Sequence, residues 1–105
     1  MAGTLKLAYT AALVLQAISS RYSYGFDIME VTGLPSGTVY PALRRLEQQE
    51  LIKSNWETER TAFAEQRPAR KYYTLTRKGK ETLAKAIERY TLFEQLVSAE
   101  KSKRR

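Results

Sequence analysis

The sequence predicts a mostly α-helical fold with one small β-hairpin, and three observations carry that reading. Apolar residues recur at helical spacing in the first half of the chain and again in its last third. A Gly33-Leu34-Pro35 break separates two of the helical stretches. Between Leu51 and Leu75 the helical period gives way to two short segments that suit pleated structure. At 105 residues the chain is large enough for one core and too short for two.

The first helix rests on Ala8, Ala11, Ala12, Leu15 and Ile18, spaced i, i+3, i+4, i+7 and i+10 along one face. Leu5, Leu7, Tyr9, Leu13 and Val14 fall on its other faces, so it is either central to the core or meets another chain. Ser19 to Ser23 interrupts the pattern, and Tyr24 to Thr32 reads as a short second helix closed by Gly33 in a left-handed conformation. Ser36 can cap a third helix that runs to about Gln49. Val39, Leu43 and Leu46 form its apolar stripe, which leaves Gly37, Pro41, Arg44 and Gln48 on the opposite face, flanked by Tyr40 and Arg45. Pro41 removes a hydrogen bond to the carbonyl near Gly37, so a loosened first turn is expected there.

Leu51 to Glu59 alternates loosely, with Ile52, Ser54 and Trp56 on one face and Lys53, Asn55 and Glu57 on the other. Arg70 to Leu75 is a second strand containing Tyr72 and Tyr73. Arg60 to Ala69 between them reads as a loop, longer than a tight hairpin turn. Thr76 then caps a final helix of about 22 residues, whose stripe is Leu83, Ile87, Tyr90 and Val97 with Phe93 and Leu96 beside it. The basic tail from residue 99 to Arg105 is expected to fray.

Charge is concentrated rather than spread. The chain carries +7 overall, yet residues 1–59 come to −1, residues 60–80 to +6, residues 81–100 to −2 and the last five to +4. A focused positive segment inside a folded domain suits a polyanion. There is no His and no Cys, which argues against zinc fingers, disulfide frameworks, thiolate nucleophiles and imidazole catalysis, and so against an enzyme. No apolar run approaches the roughly 20 residues that cross a bilayer, and the N-terminus lacks a cleavage signal, so a small cytoplasmic protein without cofactor or metal is expected.

Two short helices joined through Gly33-Leu34-Pro35 and followed by a hairpin describe a winged helix-turn-helix over about residues 5–75, with residues 76–98 as a C-terminal helix. In such a unit the second helix of the pair enters the major groove. Its exposed N-terminal turns hold Ser36, Gly37, Thr38, Tyr40, Arg44 and Arg45. The hydroxyls and the helix N-terminus suit phosphate oxygens, Gly37 admits close approach, and the Arg44 fork matches guanine or phosphate. Tyr40 either contacts DNA or packs on the wing. Arg60, Arg67, Arg70 and Lys71 bring charge to the wing; strand alternation sends the last two to opposite faces.

Tyr24-Gly25-Phe26-Asp27-Ile28, the run Gly37-Thr38-Val39-Tyr40-Pro41-Ala42-Leu43-Arg44-Arg45-Leu46-Glu47, Arg67-Pro68-Ala69-Arg70-Lys71-Tyr72-Tyr73 and Leu75-Thr76-Arg77-Lys78-Gly79 together resemble PadR-type transcriptional regulators, over about residues 5 to 97. The resemblance is to the branch with a single short C-terminal helix. It implies a homodimeric repressor whose first and last helices form the dimer interface, here Leu5, Tyr9, Leu13, Ile87, Tyr90, Phe93, Leu96 and Val97, with release by a small molecule. In one place the chain departs from the family. Gln66 stands where the wing carries Gly before Arg-Pro, which bears on the wing-tip turn.

The leading expectation is therefore a regulator that reads a palindromic duplex through the third helix and the wing. The alternative is a winged-helix module that binds a protein partner. Trp56 and Tyr90 are the residues on which a flat aromatic effector could stack, core or dimer packing being their other role; the resemblance sets Tyr90 near the dimer seam. Arg77, Lys78 and Lys80 open the last helix, where the macrodipole disfavours cations unless an anion lies nearby.

Overall fold

The computed structural model describes residues 7–103, and Leu5 of the expected interface lies outside them. The elements run α1 (Tyr9–Ser19), α2 (Gly25–Thr32), α3 (Ser36–Gln48), β1 (Ile52–Trp56), α4 (Glu59–Ala64), β2 (Lys71–Leu75) and α5 (Arg77–Lys103). This is a winged helix-turn-helix extended by one long helix, and the described molecule reaches 60 Å along its longest axis.

The core gathers under α1. Val14 and Leu15 are fully buried, packed with Ile28 of α2, with Val39, Leu43 and Leu46 of α3, and with Leu83 and Ala86 of α5. The predicted face of α1 holds for Ala12, Leu15 and Ile18, but Leu7 and Val14, assigned from their spacing to the other faces, also belong to the core. Only Tyr9 and the half-buried Leu13 remain on the outer side of α1, so the helix is central to the core and still leaves an apolar edge uncovered.

Local chemistry sets the boundaries. Arg21 adopts φ 74° after α1, and the Tyr22 amide returns to the Ala17 carbonyl at 2.9 Å. Gly33 closes α2 at φ 73°, its amide reaching the Met29 carbonyl at 2.9 Å, the αL termination expected of it. Ser36 is not the cap of α3. Pro35 occupies that position, and its carbonyl accepts from both Thr38 and Val39 while Ser36 is already helical. The helix passes through Pro41 without interruption.

β1 and β2 pair antiparallel, from Ile52 opposite Leu75 to Trp56 opposite Lys71. An isolated bridge joins Tyr24 to Tyr72, and the Tyr73 amide donates to the Ser23 carbonyl at 2.8 Å, which ties the linker before α2 to the wing. The connection between the strands is not a bare loop. It contains α4, capped by the Thr58 hydroxyl, which accepts from the Thr61 amide at 3.2 Å. Gln66 ends that turn at φ 55°, with the Arg67 amide bonded back to the Ala62 carbonyl. The position where the family pattern has Gly is thus a left-handed one here.

α5 is longer than its periodicity indicated. Helix continues through Lys103, so residues 99–103 extend α5 instead of fraying from it. Thr76 caps it as expected, accepting from the Gly79 amide at 3.0 Å and donating to the Glu50 carbonyl at 2.7 Å. Gly79 rests directly on the Leu51 carbonyl, where any Cβ would collide with it. The cations at the helix start are not bare: Lys78 donates to the Gln49 carbonyl at the end of α3, and Arg77 pairs with Glu81 one turn on.

Candidate nucleic-acid interface

Packing Val39, Leu43 and Leu46 inward turns the other side of α3 outward. Ser36, Gly37, Tyr40, Arg44 and Arg45 are exposed and Thr38 is half-buried. A Cβ on Gly37 would meet nothing, so that surface is open to an approaching backbone. Tyr40 is fixed from beneath. It lies over Gly25 so closely that a Cβ there would strike its ring and hydroxyl. Neither Arg44 nor Arg45 has an ion-pair partner among the described residues.

The wing is braced from within. Arg67 grips Glu57 with both guanidinium nitrogens, at 2.6 and 2.9 Å. Glu57 also accepts from the Arg70 amide at 3.2 Å and from the Tyr72 hydroxyl at 3.3 Å. The Arg67 hydrogen bonds hold the Glu57 carboxyl down at about 2, against an ordinary 4.5. The Arg67 side chain is 21% exposed and committed to this clamp, so its geometry is that of a brace for the hairpin. Charge alone groups Arg67 with the DNA-contact candidates, because nothing in its spacing reveals a partner ten residues away.

The other wing cations are differently placed. Arg70 lies 4.1 Å from the centroid of the Tyr24 ring. The Lys71 ammonium sits 5.8 Å from both the Trp56 and the Tyr73 rings. Arg60 projects from exposed α4 near Phe63, which is 86% exposed. Together α3 and the wing enclose a cleft of about 920 Å³ that includes Phe26, Tyr40, Arg44, Trp56, Arg70 and Lys71. Trp56 is 67% exposed in it and takes no part in the core. Phe26, part of the Tyr24–Ile28 run but not singled out there as a contact, is 58% exposed and lines the same cleft.

Tyr90 belongs to a different cavity, about 680 Å³ between α1 and α5, shared with Tyr9, Leu13, Ile87 and Phe93. Its hydroxyl donates to the Leu7 carbonyl at 3.1 Å, and its ring meets Tyr9 edge-on at 5.3 Å. The two candidate effector residues, Trp56 and Tyr90, therefore do not share a site. Ile87, Phe93, Leu96 and Val97 are exposed along α5, joined by Leu92. Among the described residues no acidic or other ligand cluster could hold a metal, and no helix is long and apolar enough to cross a membrane.

A model of the transcriptional regulator PadR-like family matches residues 14–85, more than half of the chain. The chain belongs to the PadR-like family of transcriptional regulators. The match spans α2, α3 and the whole wing, and stops within α5. This PadR-like protein is similar in structure to a PadR family transcription regulator from hypervirulent Clostridium difficile R20291, with 28% identity and a TM-score of 0.76 over 88% of this chain and 97% of that one. It is also similar to a PadR-like transcription factor from Bacteroides fragilis, at 26% identity and TM-score 0.67, covering 85% of this chain and 86% of that. A PadR-like transcriptional regulator from Bacillus cereus strain ATCC 14579 matches at 25% identity and TM-score 0.69, covering 85% and 87%. No curated protein matches the sequence. The family and these neighbours are transcription regulators, not enzymes.

Proposed function

We propose that this PadR-like protein is a sequence-specific DNA-binding repressor that works as a homodimer on a palindromic operator. The observation that carries the reading is the outer face of α3. Ser36, Gly37, Tyr40, Arg44 and Arg45 are turned to solvent, with no ion pair to Arg44 or Arg45 among the described residues, beside a wing that carries Arg60, Arg70 and Lys71. Charge and shape agree there, since a helix of this kind fits the major groove and the flanking wing suits the backbone. Ser36 and Thr38 at the helix start suit phosphate oxygens, and Arg44 suits a guanine edge. Arg67 acts on DNA through the wing it braces.

What the single chain leaves uncovered supports dimerisation. Tyr9 on α1 and Ile87, Phe93, Leu96 and Val97 on α5 are exposed apolar side chains, with Leu13 half-buried beside Tyr9, Ile87 and Phe93 in the cavity between the two helices. A second copy joined there by twofold symmetry presents two recognition helices and two wings. Tyr90 lines that same cavity, where a flat aromatic effector bound at the seam would alter the spacing of the two helices.

Footprinting on the DNA upstream of the gene tests the reading. Two protected half-sites with centres about 10 base pairs apart, or a multiple of that, are expected of a symmetric dimer. A single protected half-site contradicts the dimer, and no protection contradicts the regulator and favours a protein-binding module.

A further inference from the structure

The cleft between α3 and the wing contains an apolar ring that the DNA-binding face does not need for its charge. Phe26 is the second residue of α2 and opens on the cleft beside Tyr40 and Arg44. It is not there for the core, since α2 is anchored by the fully buried Ile28. Nor is it a loose surface residue, because the segment that carries it is tied into the fold on both sides. Gly25 is buried directly beneath Tyr40, and the Tyr24 segment is bridged to β2. A phenyl ring offers a phosphate oxygen nothing. Along the major-groove edges of DNA only one base carries a projecting apolar group, the 5-methyl of thymine. Arg44, which lines the same cleft, has the fork that suits guanine.

We propose that Phe26 is a specificity residue, reading a thymine 5-methyl group in each operator half-site next to the base contacted by Arg44. Sequence readout then comes from both helices of the pair, with α2 supplying an apolar contact and α3 the polar ones. The inference rests on the DNA-binding reading above and adds a base preference to it.

The test replaces each thymine of the footprinted site by uracil, one position per half-site, which deletes the methyl group and leaves base pairing unchanged. Binding of wild-type protein and of Phe26→Ala is followed by fluorescence anisotropy. Uracil at one position should weaken wild-type binding by about fourfold, the worth of one buried methyl group. Phe26→Ala should bind the thymine and uracil duplexes alike, with an unchanged melting temperature because the ring is exposed. Operator binding by the wild type with no uracil-sensitive position overturns the proposal and leaves the regulator reading intact. So does a Phe26→Ala protein that loses affinity yet keeps the thymine-to-uracil ratio, which marks a contact to sugar instead. Failure of the wild type to prefer any upstream duplex overturns both readings.

Discussion

Arg44 and Arg67 show how little residue type alone settles. Both are arginines beside the cleft, but Arg44 is exposed and has no ion pair among the described residues, while Arg67 is held by two nitrogens on Glu57. Arg44→Ala should therefore weaken operator binding by roughly 1–3 kcal/mol with folding unaffected; anisotropy at equal salt checks it, and equal affinity removes Arg44 from the interface. Gly37 gives a sharper contrast. Its Cβ position is empty, and alanine is the better helix former by up to about 1 kcal/mol. Gly37→Ala should melt no lower than the wild type while binding DNA more weakly, and a matching loss of both would show that Gly37 serves the fold instead. Gln66 sits at φ 55°, a conformation that costs a non-glycine residue roughly 1–2 kcal/mol. Gln66→Gly should raise stability by up to about 1 kcal/mol, the flexibility of glycine offsetting part of the gain, as read by chemical denaturation.

At the scale of elements, what was legible followed local rules. Gly33 ends α2 in the left-handed region, Thr76 caps α5, and the β1–β2 register agrees with the alternation from Ile52 onward. What was not legible depends on partners distant in sequence or on a short helix without a periodic stripe. α4 has six residues and one buried side chain, Ala62, so it leaves no amphipathic pattern; the Thr58-Glu59 start is its only signal, a capping hydroxyl with an acidic first turn. Phe26 could not be told from a core residue, since its period fits α2 and only the placement of Tyr40 and the wing exposes it. The Glu57 clamp sets a pH dependence for the hairpin. Its carboxyl titrates near 4.5 when unpaired and at about 2 in the fold, so the ionised form is favoured by folding. That contribution is complete above about pH 4.5 and is lost as the pH falls towards about 2. Glu57→Gln should be less stable at neutral pH and show a flatter loss across that window in acid melts; a parallel loss in both proteins would clear Glu57 of the role.

For the whole molecule, the main division is between two faces of opposite character, one cationic and aromatic around α3 and the wing, one apolar along α1 and α5. The first suits DNA and the second suits another copy of the chain. Phe93 is 64% exposed on the second face. Phe93→Asp should leave the melting of the monomer fold in place while halving the sedimentation mass; an unchanged mass moves the interface elsewhere. The central claim is specific recognition of DNA, and it is tested most directly by anisotropy of a labelled duplex from the gene's own upstream region beside a scrambled duplex, each at about 50 and 200 mM salt. The account predicts tight binding to the first duplex that the second cannot compete away, with both affinities falling as salt rises. Equal, steeply salt-dependent binding to the two duplexes, or no binding to either, would contradict it.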